Sequence, residues 1–291
     1  MKQITVLSGK GGTGKTTVVG ALAALADDKV LADCDVDAAD LFLILEPTIR
    51  QREDFYSGRQ PQVDRNTCTQ CGVCTDVCRY HAIHDGAVNL LDCEGCGLCA
   101  LACPEEVIIM HPGRSGEWFI SDTRYGTMVH ARLGIGEENS GKLVAEVRRH
   151  AHAVAEAQCA ELIIIDGPPG IGCPVISSLT GANLVLIVTE PTVAGIHDLE
   201  RIASLAQHFS IPCLVCINKY DLNEPKTRAI EEYCRREGFA VAGRIPFDIC
   251  AVEAMVHQKT VMEHSCPAIH RAIRSIWDEI SNALRREEAT A

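Results

Sequence analysis

The chain has 291 residues, 47% of them hydrophobic, and a formal net charge of −12. That is enough for one large domain, or one domain with an insert, around an ordinary apolar core. Nucleic-acid binding rests on Lys and Arg neutralising phosphates, so this balance argues against a nucleic-acid partner and against docking on anionic lipid. The chain opens Met1-Lys2 with no signal-peptide pattern, has no apolar run near the ~18 residues of a membrane span, and carries 16 Cys. A cytoplasmic, reducing setting is therefore expected, with the thiols as metal ligands or free groups, not disulfides.

The first expected element is a buried strand, Ile4–Leu7, followed by Gly9-Lys10-Gly11-Gly12-Thr13-Gly14-Lys15-Thr16 and a helix over Lys15–Ala26. Strand, G-x-x-x-x-G-K-[ST] and helix together are the context of a phosphate-binding loop. The backbone N–H groups of Gly11, Gly12, Thr13 and Gly14 are expected to curl round phosphate oxygens, with Thr17 in the first helical turn beside them. Lys15 is expected to bridge the β- and γ-phosphates and Thr16 to ligate Mg²⁺. A second strand, Val30–Ala32, delivers Asp33-Cys34-Asp35-Val36-Asp37, where a carboxylate can orient an attacking water.

The alternation then breaks from about Pro47 to Pro112. Within it, Cys68-x₂-Cys71-x₂-Cys74-x₃-Cys78 is followed by Cys93-x₂-Cys96-x₂-Cys99-x₃-Cys103-Pro104. This duplicated spacing is the bacterial two-cluster ferredoxin run, in which each fourth Cys ligates the other cluster. One [4Fe–4S] cluster is thus expected on Cys68, Cys71, Cys74 and Cys103, the other on Cys93, Cys96, Cys99 and Cys78. Structural zinc is the alternative, but it does not call for two four-Cys runs. The expected division is an inserted ferredoxin-like α+β domain over 59–112, within a discontinuous parent domain of 1–58 and 113–291.

The parent pattern resumes near Trp118. A helix over Gly141–Cys159 precedes the strand Leu162–Ile165, whose end carries Asp166, the expected Mg²⁺-shell carboxylate, and then a stiff Gly167-Pro168-Pro169-Gly170 turn. Strands Leu184–Val188 and Cys213–Ile217 and helices Ile196–His208 and Thr227–Glu237 complete a doubly wound, mostly parallel α/β pattern. Cys213 and Cys216, three apart on a strand, are expected on opposite faces as core thiols. Asn218-Lys219-Tyr220-Asp221 fits N-K-x-D, which makes Asn218 and Asp221 candidate base-reading residues without deciding the base. Ala268–Leu284 puts Ile269, Ile273, Ile276, Trp277, Ile280 and Leu284 on one face, expected to dock on the sheet.

The second-position Lys10, the Asp33–Asp37 run, Asp166 with DGPPG, Tyr125-Gly126 with Met128–Leu133, and Gly170-Ile171-Gly172-Cys173-Pro174 resemble the MinD/ParA group of P-loop ATPases, here with an inserted ferredoxin domain. That resemblance implies a nucleotide-sandwich homodimer in which Lys10 reaches the partner's phosphates, with Lys10, Lys15 and Asp35 as catalytic residues and Asp35 as the water-positioning carboxylate. It favours ATP over GTP. Ala39-Asp40 and Thr127 depart from it, where Pro-Asn and Pro are the family pattern. Cys173 lies at the offset where nitrogenase iron proteins carry a bridging-cluster ligand, and a buried helix-start thiol is the other reading. The implied functions are energy-coupled electron transfer to a redox partner, or iron–sulfur or heterometal cluster assembly with a partner protein. A MinD/ParA-like positioning switch with clusters as a staple or redox sensor is the alternative.

Overall fold

The computed structural model describes residues 1–134 and 140–290. In chain order the elements are β1 (Lys2–Ser8), α1 (Lys15–Leu25), β2 (Lys29–Asp33), α2 (Leu41–Leu45), β3 (Thr48–Val63), α3 (Val73–Val77), β4 (Ile83–His84), β5 (Ala87–Val88) and α4 (Leu98–Ala102). There follow β6 (Ile108–Thr123), β7 (Gly126–Leu133), α5 (Ser140–Gln158), β8 (Leu162–Pro169), α6 (Cys173–Leu179), β9 (Leu184–Thr189), α7 (Val193–His208), β10 (Cys213–Asn218), α8 (Glu224–Glu237), β11 (Ala240–Ile245), α9 (Cys250–Val256) and α10 (Pro267–Thr290).

Nine strands among the described residues form one sheet in the order β11-β10-β9-β1-β8-β2-β7-β6-β3. The pairs from β11 through β7 are parallel. Central parallel strands are covered on both faces, which explains why Ile4, Val6 and Leu7 of β1 and Leu162–Ile165 of β8 are apolar without strict alternation. Ile4, Val6, Leu7, Ile163, Ile164 and Ile165 are all buried. Below the sheet α1 and α10 close one core with Ile269, Ile273, Ile276 and Ile280 inside it, and Trp277 and Leu284 at its margin. Above it α6, α7 and α8 close the other. Cys216 belongs to the first core and Cys213 packs on the second, as residues three apart on a strand must. Burial pushes both thiols up to about 12.

The chain divides into two compact units. One holds Met1–Arg52, Trp118–Arg132 and the chain from Ser140 onward; the other holds Glu53–Glu117 with Leu133 and Gly134. The joints at 52/53 and 117/118 fall inside β3 and β6. The second unit carries the short helices α3 and α4 and the β4–β5 hairpin.

Three local findings differ from the sequence reading. Residues 166–169 continue β8, with Pro169 paired to Ser8 across a register shift, where a turn is expected. Thr127 does what proline cannot: its hydroxyl takes hydrogen bonds from Gln158 (2.9 Å) and Arg50 (3.3 Å). Cys250 and Cys266 are joined as a disulfide, with Cα atoms 5.8 Å apart, against the expectation of free thiols. That expectation came from compartment, whereas the pairing comes from packing: α9 and the start of α10 bring both Cys into one buried core.

Candidate functional site

The site is assembled where β1 and β8 end. The loop Gly9–Gly14 turns from β1 into α1, and Val18 N–H closes the first helical bond on the Gly14 carbonyl at 3.0 Å. Gly14 has φ 91°, and a Cβ there would stand 2.3 Å from Asn218 Nδ2, so both backbone and space require glycine. Gly11, Gly12, Thr13, Gly14, Lys15, Thr16, Thr17, Asp35 and Asn218 line one cavity of about 400 Å³. Its far wall is apolar and includes Ile245, Pro246, Phe247, Val252 and Met255, a surface suited to a flat base.

Lys15 reaches from the first turn of α1 to the floor of the site. Its Nζ donates to Asp166 Oδ1 at 2.5 Å and to Asp35 Oδ2 at 3.4 Å. Burial alone pushes this ammonium down, but Asp166 and Asp35 outweigh it and hold it above its ordinary value. Burial also pushes the Asp35 carboxyl up, against the pull of Lys15. Asp33 is fully buried and accepts the N–H groups of Asp35 (3.1 Å) and Leu41 (3.4 Å). It thereby sets the start and end of the loop that carries Asp35. Burial, then the charge of Asp166, pushes its carboxyl well above the usual range.

Asp166 Oδ2 and Thr13 Oγ1 are buried and have no hydrogen-bond partner among the described residues. An acidic oxygen at the end of β8 and a hydroxyl in the phosphate loop, both in that condition, fit a Mg²⁺–phosphate group. Thr16 and Asp166 would hold the ion, which supplies charge neutralisation at the phosphates.

Asn218 Nδ2 donates to the Thr13 carbonyl at 2.7 Å, tying the end of β10 to the phosphate loop. Asp221 lies outside the cavity lining. Its Oδ1 accepts Phe247 N–H at 2.7 Å and so fixes the wall. Lys10 is also outside the lining, with its Nζ 2.6 Å from Glu190. The sequence reading missed Asp33 as a loop anchor and missed Glu190; the signal for Glu190 is a carboxylate at the end of a parallel strand beside β1.

His130, on β7, is buried, with its Nε2 2.9 Å from the Ser121 hydroxyl of β6 and its ring stacked on Phe119. Burial lowers it to about 4. Cys173 is exposed at the start of α6, not buried.

In the second unit, Cys68, Cys71, Cys74 and Cys103 line one cavity, with Val63, Val107 and Ile108. Cys78, Cys93, Cys96 and Cys99 line another, with Ala82, Ile83, Val88 and Met110. Among the described residues, no three or more His, Cys, Asp or Glu converge as they do round a single metal ion. Desolvation pushes the Cys99 thiol up, with the neighbouring Cys93 and Cys96 adding to it.

The fold and the phosphate loop define a P-loop nucleotide-binding protein. Residues 4–261 match the CobQ/CobB/MinD/ParA nucleotide binding domain, and the chain belongs to that family. It is 31% identical over 289 residues to an uncharacterized protein of Methanocaldococcus jannaschii, covering 97% of each chain. Over 50 residues (16% of this chain and 54% of the relative) it is 40% identical to the delta subunit of the NADH-dependent phenylglyoxylate dehydrogenase of Aromatoleum evansii. Among solved structures it resembles the septum site-determining protein MinD of Pyrococcus horikoshii complexed with Mg-ADP. The TM-score is 0.58 at 18% identity, over 96% of this chain and 95% of that one. At that identity the likeness speaks to fold. No described helix is long and apolar enough to cross a membrane.

Proposed function

We propose that the chain is an iron–sulfur ATPase in which ATP closes a homodimer and the closure is coupled to a protein partner. The coupled event is electron transfer or the assembly of an iron–sulfur or heterometal cluster. The observation that carries this reading is the coexistence in one chain of a complete phosphate loop and two separate cavities, each with four Cys in its lining. Cys68, Cys71, Cys74 and Cys103 would hold one [4Fe–4S] cluster; Cys78, Cys93, Cys96 and Cys99 would hold the other. When bound, such clusters supply one-electron storage. A cubane holds its ligands farther apart than one ion does, so thiols spread round a cavity suit it better than they suit zinc. The partial likeness to a dehydrogenase subunit supports a redox setting.

In the nucleotide site, Lys15 and the loop N–H groups would bind the phosphates, Thr16 and Asp166 the Mg²⁺, and Asp35 would orient water for hydrolysis. A MinD/ParA-like positioning or regulatory switch is the second reading, favoured by the MinD fold of the solved relatives. The test is anaerobic purification with metal and sulfide analysis. About eight iron and eight acid-labile sulfide per chain are expected for two [4Fe–4S] clusters. Zinc without sulfide overturns the iron–sulfur part and leaves the switch reading.

A further inference from the structure

Lys10 and Glu190 form an ion pair that the nucleotide cavity does not use. Lys10 Nζ stands 2.6 Å from Glu190 Oε1, and Lys219 Nζ stands 3.2 Å from Glu190 Oε2. Lys219 also donates to the Gly12 carbonyl at 2.9 Å. One carboxylate thus gathers two ammonium groups at the mouth of the phosphate loop.

The two members of the pair are held very differently. Glu190 follows β9 in a closed turn: its carbonyl accepts Thr192 N–H at 2.7 Å. The Thr192 hydroxyl caps α7 on Gly195 N–H, and the Gly195 carbonyl accepts the Thr189 hydroxyl, each at 2.9 Å. A Cβ on Gly195 would lie 2.2 Å from the Glu190 carbonyl oxygen, so this turn tolerates no drift. Its side chain is 12% exposed. Lys10 is 39% exposed and sits between Gly9 and Gly11 on the loop. The lysine is therefore the member free to swing. Burial pushes Glu190 up, but hydrogen bonds from Lys10 and Lys219 outweigh it and hold the carboxyl below its ordinary value, ionised at neutral pH.

We infer that Glu190 is a latch that holds Lys10 within its own protomer and sets how much ATP is needed to close the dimer. The inference rests on the dimer reading above. An ammonium that meets a partner's phosphate must first leave Glu190, so Glu190 stabilises the open state and not the closed one. A two-fold dimer breaks two such pairs. A part-exposed ion pair is worth about two- to fivefold in an equilibrium, so two are worth about four- to twenty-fivefold in the dimer constant.

The test is sedimentation velocity of the full chain with Mg²⁺ and either ADP or a non-hydrolysable ATP analogue. It compares wild type with Glu190→Gln, Lys10→Ala and the double variant. Glu190→Gln should dimerise with an association constant about four- to twenty-fivefold higher in the analogue, and should show no such gain in ADP. A variant damaged in fold would not gain association, so the gain separates a latch from a merely structural role. Lys10→Ala and the double variant should both stay monomeric. If Glu190→Gln dimerises no more readily than a wild type that does dimerise, the latch is wrong and the dimer reading stands. If wild type and Glu190→Gln both stay monomeric at saturating analogue, the dimer reading falls and the latch with it.

Discussion

Lys15 Nζ lies 2.5 Å from Asp166 Oδ1, with both side chains buried and Asp35 completing the group at 3.4 Å. One ammonium thus pairs with two acidic groups, and burial holds the more distant Asp35 carboxyl above its ordinary value. In the proposed reading the same cation would serve phosphate when nucleotide enters, and Thr16 and Asp166 would then hold Mg²⁺. The exchange trades one compensated site for another and leaves no buried charge alone.

Removing the cation exposes that dependence. Lys15→Ala leaves Asp166 and Asp35 without the cation they share. Tight ATP binding should be abolished, and the nucleotide-free protein should lose about 1.5–3 kcal/mol, the range of a hydrogen bond to a charged group. Asp166→Asn in the same chain should recover part of that stability but not the binding. Urea unfolding with equilibrium nucleotide binding checks both halves. A Lys15→Ala protein as stable as wild type would show that the pair contributes nothing.

Asp35 should separate binding from turnover. It lines the cavity but sits on a loop anchored independently by Asp33. Asp35→Ala should keep nucleotide affinity within about threefold and lower hydrolysis by about 10²-fold or more, the scale of a lost general base. Asp33→Asn should weaken both, since the loop itself depends on it. Wild-type turnover in Asp35→Ala would move the water-positioning role elsewhere.

Much of this was legible in the amino-acid order because the central strands are covered on both faces. Ile4–Leu7, Leu162–Ile165 and Leu184–Val188 are apolar runs for that reason, and each lies within the observed strand. Strands β3 and β6 were not legible. Residues 48–63 are almost all polar or exposed, so no period-two apolar signal marks them. The phosphate loop announces itself by spacing, since its chemistry is local. Glu190 does not, because its meaning lies in Lys10 and Lys219, which only the fold brings to it. The Cys250–Cys266 pair was illegible for the same reason. Asp221 shows the converse: the N-K-x-D order is present, yet Asp221 lies outside the cavity lining and its Oδ1 accepts Phe247 N–H.

His130 gives the protein a specific acid sensitivity. Its folded value is about 4, against 6.5 in an open chain. Between those limits the unfolded state binds more protons, so stability is full above about pH 6.5 and falls as pH drops towards 4. The loss from this one group is about 2 kcal/mol at pH 5 relative to pH 8. His130→Gln can keep the hydrogen bond to Ser121 without titrating. Its stability difference between pH 8 and pH 5, read from urea midpoints, should be smaller than that of wild type by that amount. Equal pH dependence in the two proteins would show that His130 is not the group responsible.

The remaining prediction concerns the traffic between the two halves of the proposed activity. From the Asp35 loop, α2 and β3 carry the chain into the Cys-bearing unit; β6 and β7 bring it back ahead of α5 and β8, which ends near Asp166. Both joints therefore connect to the segments that carry Asp35 and Asp166. Chain continuity alone moves nothing: nucleotide can act on a cluster only if the two nucleotide states differ in how they bind. On the proposed dimer reading Lys10 would offer that difference, meeting phosphate only across a closed dimer and otherwise resting on Glu190. If closure shifts the reduction equilibrium, reduction must shift ATP affinity by the same factor. A change of about 30 mV for one electron corresponds to roughly 0.7 kcal/mol, or about threefold in affinity. Redox titration with ADP and with a non-hydrolysable ATP analogue, on wild type and Lys10→Ala, should show a nucleotide-dependent potential only in wild type. Chelator access to iron should differ in the same sample alone. Identical potentials and identical access in all four samples would mean that the clusters are passengers, and the positioning-switch reading would then gain the stronger claim.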